Sequence, residues 1–283
     1  MKRVLVTGSG GFIGRGTLAP LAERGYEVVR NTANLLAPGE AERVIEEVRP
    51  THLLHLAWNA KPGEFWTTPE NLDWVAASLR LLRAFTTAGG ERAVFAGTCA
   101  EYAWENETHC VEGVTPLVPA TLYGTAKHAL HTLVERAGVS AAWGRVFFVF
   151  GPHEHPARLA SSVASALVRG EPAETGPGTQ IRDFLYSEDL AAAFVALLDC
   201  DAVGAVNLAS GDPRPIRELV ELLGEASGRP ELLRIGARPA NPAEPAVLTA
   251  AVDRLRDEVG WAPPRTLEQR LADTVAWWRQ ATV

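Results

Sequence analysis

Val4-Leu5-Val6-Thr7-Gly8-Ser9-Gly10-Gly11-Phe12-Ile13-Gly14 is the stretch on which the reading of the whole chain turns. Lys2 to Val6 is a short apolar, β-branched run of the kind that makes a strand buried on both faces, and glycines follow at once at positions 8, 11 and 14. Glycine there lets the backbone turn sharply, and it keeps side chains from holding a pyrophosphate away from the amides of the next helix. Anions are favoured at that helix N-terminus. Ile13, Leu18, Leu21 and Ala22 continue as one apolar helix face. The pattern therefore predicts strand, turn and helix, with a dinucleotide held at Gly8, Gly11, Phe12, Ile13 and Gly14.

The bulk properties narrow the field. The chain has 283 residues, 47% hydrophobic and 22% charged, enough for a large core built as a nucleotide-binding unit plus a smaller partner. A net charge of -7 and a pI near 5.6, with no basic block on any predicted helix, argue against nucleic acid as a partner and for a small molecule. No apolar run approaches the ~20 residues that a membrane span needs. Cys99, Cys110 and Cys200 show no CxxC spacing, and no leader precedes the first strand, so they read as reduced thiols of a cytoplasmic protein. His153-Glu154-His155 lies in a Pro-flanked loop without a third ligand, so no metal site is expected.

Strand and helix patterns alternate along the first two thirds of the chain. Tyr26 to Arg30 reads as a second strand, Glu40 to Val48 as a helix stopped by Pro50, and Leu53 to Ala57 as a third strand. Glu70 to Ala88 reads as a long helix and Ala93 to Gly97 as a further strand. Parallel strands joined by right-handed helical crossovers give a doubly wound α/β sheet, whose ligands sit beyond the carboxyl ends of the strands. At the end of the second strand Arg30 stands where an acidic residue would bond the ribose hydroxyls of NAD. A guanidinium there suits a 2′-phosphate, which favours NADP(H) over NAD(H); the plainer alternative is a solvated strand-end arginine.

Thr98 closes the fourth strand, and Tyr123 and Lys127 follow four residues apart, on one face of a helix expected to run to about Arg136. An ammonium beside a phenol is expected to lower the phenol pKa from about 10 and make it a usable acid or base near neutrality. The order TGSGGFIG, a Thr at a strand end and YGTAK resembles the extended short-chain dehydrogenases/reductases of the NAD(P)-dependent sugar-nucleotide epimerase/dehydratase family. Arg145 to Pro152, Gln180 to Phe184 and Val259 to Pro263 are similar to later signatures of that family, so the resemblance spans nearly the whole chain.

The resemblance implies a Rossmann-type doubly wound parallel sheet with a smaller C-terminal α/β substrate lobe. Residues 1–151 and 183–209 would form the dinucleotide-binding part, and 152–182 and 210–283 the lobe, with Arg214 to Val283 helical between Pro-rich breaks. It implies a nucleoside-diphosphate sugar as substrate and a homodimer formed through Glu70–Ala88 and Thr121–Arg136. Tyr123 would donate or accept the proton at the sugar oxygen, Thr98 would bond that oxygen, and Lys127 would hold the nicotinamide ribose. Asn34, Leu56 and Ala57 join the glycine turn and Arg30 as expected cofactor contacts. Arg182 and Arg238 are expected at the diphosphate, the alternative for Arg182 being a structural pair with Asp183.

Departures from the family pattern bear on the reaction. The family's 4,6-dehydratases carry an Asp-Glu pair directly after the hydroxyl residue; here Cys99 and Ala100 stand there, and a methyl group transfers no proton. Cys99 reads first as a small buried packing residue, and it is kept with Glu101 as a candidate contact to the substrate. Phe148 and Trp74 replace asparagines common in the family. The expected activity is therefore NAD(P)H-dependent reduction of a nucleoside-diphosphate-linked 4-keto(-6-deoxy) sugar. The alternatives are an NAD-dependent 4-epimerase and, more distantly, a non-catalytic NADP-binding sensor.

Overall fold

The computed structural model describes residues 2–242 and 244–281. Six parallel strands form the main sheet: β1 (Arg3–Thr7), β2 (Glu27–Arg30), β3 (His52–His55), β4 (Arg92–Thr98), β5 (Ser140–Val146) and β6 (Gly204–Leu208), in the spatial order β2-β1-β3-β4-β5-β6. Side chains alternate across a strand, so Val4 and Val6 pack with Leu21 and Leu190 on one face, while Leu5 packs with Val44, Ile45 and Leu81 on the other. Helices α1 (Leu18–Glu23) and α6 (Ser187–Asp199) cover the first face. Helices α2 (Glu40–Val48), α3 (Glu70–Thr87) and α4 (Leu122–Val134) cover the second. This is the doubly wound, Rossmann-type architecture expected from the sequence, with the strand order reversing between β1 and β3.

Beyond the sheet, α5 (Leu159–Arg169), α7 (Ile216–Ser227) and α8 (Leu267–Ala281) pack around Val163, Leu167, Leu219, Leu223, Leu271 and Val275. A small sheet joins Glu107–Cys110, Val247–Ala250, Ile181–Arg182 and Arg214–Pro215 in that order. Two expectations are corrected here. Residues 214–281 are not only helical, because Arg214–Pro215, Leu233–Ile235 and Val247–Ala250 are strands. Glu107–Cys110, within the range expected for the nucleotide-binding part, pairs with Val247–Ala250, within the range expected for the substrate lobe. Short strands with partners this distant in sequence leave no periodicity to read. The first helix also begins as a 3₁₀ turn over Gly14–Thr17, since Pro20 has no N–H to give to the Gly16 carbonyl.

Arg92, 7% exposed, binds the far end of the sheet to α6. Its guanidinium donates to the carbonyls of Leu197 (2.7 Å), Leu198 (3.0 Å) and Ala202 (2.7 Å) and to Ser140 Oγ (2.8 Å). A cation at a helix C-terminus answers both the dipole and the orphan carbonyls. Arg92→Met is expected to destabilise the fold by about 2–4 kcal/mol with an unchanged m-value in urea, since it strands buried acceptors far from the crevice.

Candidate active site

The glycine turn lies in the crevice where the strand order reverses. Gly8 has φ +69°, and a Cβ on it would lie 2.8 Å from Ala57 N, so β1 and the end of β3 approach as only glycine allows. A Cβ on Gly14 would overlap the Gly8 carbonyl, whereas nothing lies within 4 Å of the corresponding position on Gly10. The turn is closed by Gly11 N–H donating to Gly8 O at 2.9 Å. The result is a backbone cradle open to solvent at Gly10 and Gly11 and packed from below, which fits a pyrophosphate at the following helix start. Phe12, Ile13, Leu56 and Ala57 are partly buried around it. Arg15, which the sequence reading passed over, folds back to donate to the Gly10 (2.8 Å) and Gly11 (3.1 Å) carbonyls.

Below the cradle, Thr7 Oγ1 lies 2.7 Å from His55 Nδ1, and His55 Nε2 lies 2.8 Å from Ser78 Oγ. Burial, reinforced by the Lys127 ammonium, pushes this imidazole down to about 3, so it stays neutral and acts as a brace between β1, β3 and α3. Arg30 lies exposed at the end of β2, and its side chain makes no hydrogen bond or ion pair with other described residues. Asn34 sits exposed on the same rim, where its Oδ1 accepts from Leu36 N at 3.1 Å.

Thr98, Tyr123 and Lys127 come together at the carboxyl end of β4. Helix α4 starts where Thr121 Oγ1 accepts from Gly124 N (3.1 Å), and Gly124 is required there because a Cβ would overlap the Ala100 carbonyl. That close approach carries Tyr123 to Thr98. Burial raises the phenol above its ordinary range, and the facing Thr98 side chain opposes that rise only in part. The expected lowering by Lys127 is thus reversed, because its ammonium is directed elsewhere. Nζ donates to Ala96 O at 2.8 Å and lies 3.8 Å from the centre of the Trp58 ring. Burial pushes Lys127 down to about 7, with Glu101 acting against that fall.

An aromatic wall, absent from the sequence reading, encloses the phenol. Phe65 and Trp66 meet the Tyr123 ring edge-on at 4.9 and 5.8 Å between centroids, and Trp58 at 6.3 Å. Trp66 also meets Trp104 at 6.1 Å. The loop bearing these rings is tied to α4 by Tyr123 N–H donating to Trp66 O (3.1 Å) and clamped by Asn71, which is 1% exposed. Asn71 accepts from Trp58 Nε1 (2.9 Å) and donates to the carbonyls of Phe65 (2.8 Å) and Thr68 (2.9 Å). Trp74 stacks on Trp58 at 6.0 Å and donates to Glu70 (3.0 Å).

The four residues expected at the substrate are placed differently from one another. Cys99 is buried, its thiol held well above its usual range by burial, and it packs in the core. Glu101 is fully buried and turned away from the crevice, because residues 99–101 form a 3₁₀ turn rather than a continuing strand; this corrects its expected role. Arg182 is 3% exposed and donates to the carbonyls of Ile181 (2.9 Å) and Pro245 (2.7 Å). It does not pair with Asp183, which accepts from Ser210 and Gly211. Arg238 lies on the exposed lobe rim, 3.9 Å from Glu174. Arg158, also missed, stands 5.5 Å from the Phe65 ring and opposes the rise in the Tyr123 pKa.

Glu101, His128 and His131 bring ligand atoms within 4.8 Å of one another, a grouping that no sequence spacing announced. Arg145 reaches two of the three, donating to Glu101 Oε2 at 3.0 Å and lying 3.3 Å from His131 Nδ1, so the carboxylate of the group is already paired with a cation.

Comparison with known proteins agrees with this geometry. Residues 4–209 match the model of the NAD dependent epimerase/dehydratase family. The chain is 28% identical to a UDP-glucose 4-epimerase of Corynebacterium glutamicum, over 93% of this chain and 92% of that protein. It is also 28% identical to a GDP-6-deoxy-D-mannose reductase of Pseudomonas aeruginosa, over 98% and 97%. The structure of RMD from Pseudomonas aeruginosa complexed with NADPH superposes with a TM-score of 0.83 and 25% identity, over 99% of this chain and 100% of that one. With its nucleotide cradle and its Thr98, Tyr123 and Lys127 set, this chain belongs to the NAD-dependent epimerase/dehydratase family of sugar-nucleotide enzymes.

Proposed function

We propose that the protein is an NADPH-dependent reductase of a nucleoside-diphosphate-linked 4-keto-6-deoxy sugar. The observation that carries this reading is the state of Tyr123, a phenol enclosed by Phe65, Trp66 and Trp58 and held protonated by burial beside Thr98. Such a group enters the reaction protonated; burial makes it a weaker acid, so its proton leaves only as alkoxide charge, a stronger base than the phenolate, develops on the carbonyl oxygen. Reduction of a ketone asks for a donor, whereas epimerisation begins with removal of a proton.

A nicotinamide cofactor, when bound in the glycine cradle, supplies the hydride. Tyr123 then gives its Oη proton to the carbonyl oxygen as negative charge grows there, and Thr98 Oγ1 bonds the same oxygen. Lys127 lies one helical turn on, where an ammonium suits the cofactor ribose. The wall of Trp58, Phe65 and Trp66 excludes water and favours an apolar, deoxygenated sugar face. Cys99 and Ala100 offer no acid-base pair for dehydration.

Purified protein oxidising NADPH with any of a panel of 4-ketosugar nucleotides would support the proposal; no oxidation with any of them would end it. The second reading, a 4-epimerase, has the UDP-glucose 4-epimerase relative in its favour. It requires stoichiometric NAD released on denaturing fresh protein. On cofactor choice, Arg30 favours the 2′-phosphate. Arg30→Ala is expected to weaken NADPH binding about tenfold and to leave NADH within about twofold, measured by quenching of tryptophan fluorescence.

The same reading places the homodimer on α3 and α4, which pack side by side and leave Leu72 58% and Leu133 49% exposed. No helix among the described residues is long and apolar enough to cross a membrane.

A further inference from the structure

What fixes Thr98 lies behind it. Its Oγ1 accepts from Ala100 N at 3.2 Å, and its own N–H donates to Glu101 Oε1 at 2.9 Å, a reciprocal cap on the turn that follows β4. The Glu101 carboxylate is 0% exposed and shared three ways: Trp143 Nε1 donates to Oε1 at 2.7 Å, and Arg145 Nε to Oε2 at 3.0 Å. Gly97 makes the room, since a Cβ there would overlap the Trp143 indole and lie 2.7 Å from Glu101 Oε1.

The bonding continues away from the crevice. Arg145 Nη1 donates to Tyr102 Oη (3.0 Å), which donates to Asn207 Oδ1 (2.8 Å). Asn207 Nδ2 donates to the carbonyls of Cys110 (3.0 Å) and Ala251 (3.2 Å), at the ends of the two paired small-lobe strands. A buried ion pair is a poor way to gain stability, because desolvation offsets most of the attraction, and a well-packed apolar pair fills the same space. It does fix direction, through donors of defined geometry.

We propose that Glu101, oriented by Arg145, is a positioning residue for Thr98: it sets the angle of the threonine hydroxyl at the substrate oxygen and anchors that setting, through Tyr102 and Asn207, to the small lobe. This rests on the reading of Thr98 as a group that bonds the reacting oxygen. Glu101→Gln leaves one acceptor oxygen: with it at the Thr98 amide an N–H₂ faces the Arg145 guanidinium, and with it at Arg145 an N–H₂ faces the Thr98 N–H.

The full chain carrying Glu101→Gln, Thr98→Val or both is assayed with NADPH and the ketosugar nucleotide found active. Glu101→Gln is expected to lower kcat about tenfold with KM within about twofold, and to add nothing further in the Thr98→Val background. An unchanged kcat, or a full tenfold loss persisting without the threonine hydroxyl, overturns the proposal. A Thr98→Val variant with normal turnover overturns the role of Thr98 instead, and the proposal with it. Should Glu101→Gln not fold, the double variant Glu101→Leu with Arg145→Met removes both charges, and its kcat carries the same expectation. Hydrogen exchange at the Thr98 amide, followed by nitrogen-15 NMR in the unsubstituted chain, is a readout free of substrate. Strong protection is expected, and exchange at the rate of an open loop overturns the proposal.

Discussion

Tyr123→Phe is expected to lower kcat about a thousandfold while NADPH binding stays within about twofold and the thermal midpoint is unchanged. The substitution removes one hydroxyl and keeps the ring that Phe65 and Trp66 pack against edge-on at 4.9 and 5.8 Å. The hydroxyl faces the Thr98 side chain, whose Oγ1 also accepts from the Ala100 amide at 3.2 Å and keeps that partner in the variant. What disappears is the proton aimed at the oxygen on which charge develops. A positioned acid is worth about 10²–10⁴ in rate, and a thousandfold corresponds to about 4 kcal/mol at 1.36 kcal/mol per decade. The loss should fall on kcat and kcat/KM alike, since the interaction is made fully only in the transition state. Stopped-flow measurement of NADPH oxidation separates this step from product release. A loss under about tenfold would transfer the proton to another donor and remove the basis of the proposed reaction.

The elements that carry local signals were legible in the sequence. Gly8, Gly11 and Gly14 follow a strand at fixed offsets, and Tyr123 and Lys127 share a helix face, so nearest-neighbour geometry alone gave the cradle and the phenol. Helical spacing does not tell where a long side chain points. Lys127 reaches across to Ala96 O and the Trp58 ring, which is why the electrostatics at Tyr123 came out opposite to expectation. Glu101 was misplaced for a different reason. The chain leaves the strand at Thr98, where Thr98-Cys99-Ala100-Glu101 carries the Thr-x-x-Glu spacing of a capping box and turns the carboxylate into the interior. The aromatic wall had no such signature, because its loop is shaped by Asn71, whose bonds to Trp58 Nε1 and the Phe65 carbonyl join residues that no helix or strand period links.

Lys127→Met is the other substitution with a large expected effect, and its signature is in pH. Burial holds the ammonium down to about 7 from an ordinary 10.5, so near neutrality a large share of the protein without cofactor carries an uncharged amine. If the charged form is the one that captures the cofactor ribose, kcat/KM for NADPH falls as pH rises through about 7, because that ratio reports the ionisation of the free enzyme. Lys127→Met should be about a hundredfold slower at pH 6 and should lack that fall. The sign for stability is opposite. The unfolded chain binds this proton more tightly than the folded one, so without cofactor stability rises with pH between about 7 and 10.5, a rise the methionine variant loses. Trp58 decides how dry the ammonium is, its ring 3.8 Å away on the side not taken by Ala96 O. Trp58→Ala admits water there, and ammonium hydration outweighs the lost cation–π contact, so the fall in kcat/KM should move upward by about one pH unit. A profile flat from about pH 6 to 9, or one that Trp58→Ala leaves in place, would mean that the charge on Lys127 is not what the cofactor meets.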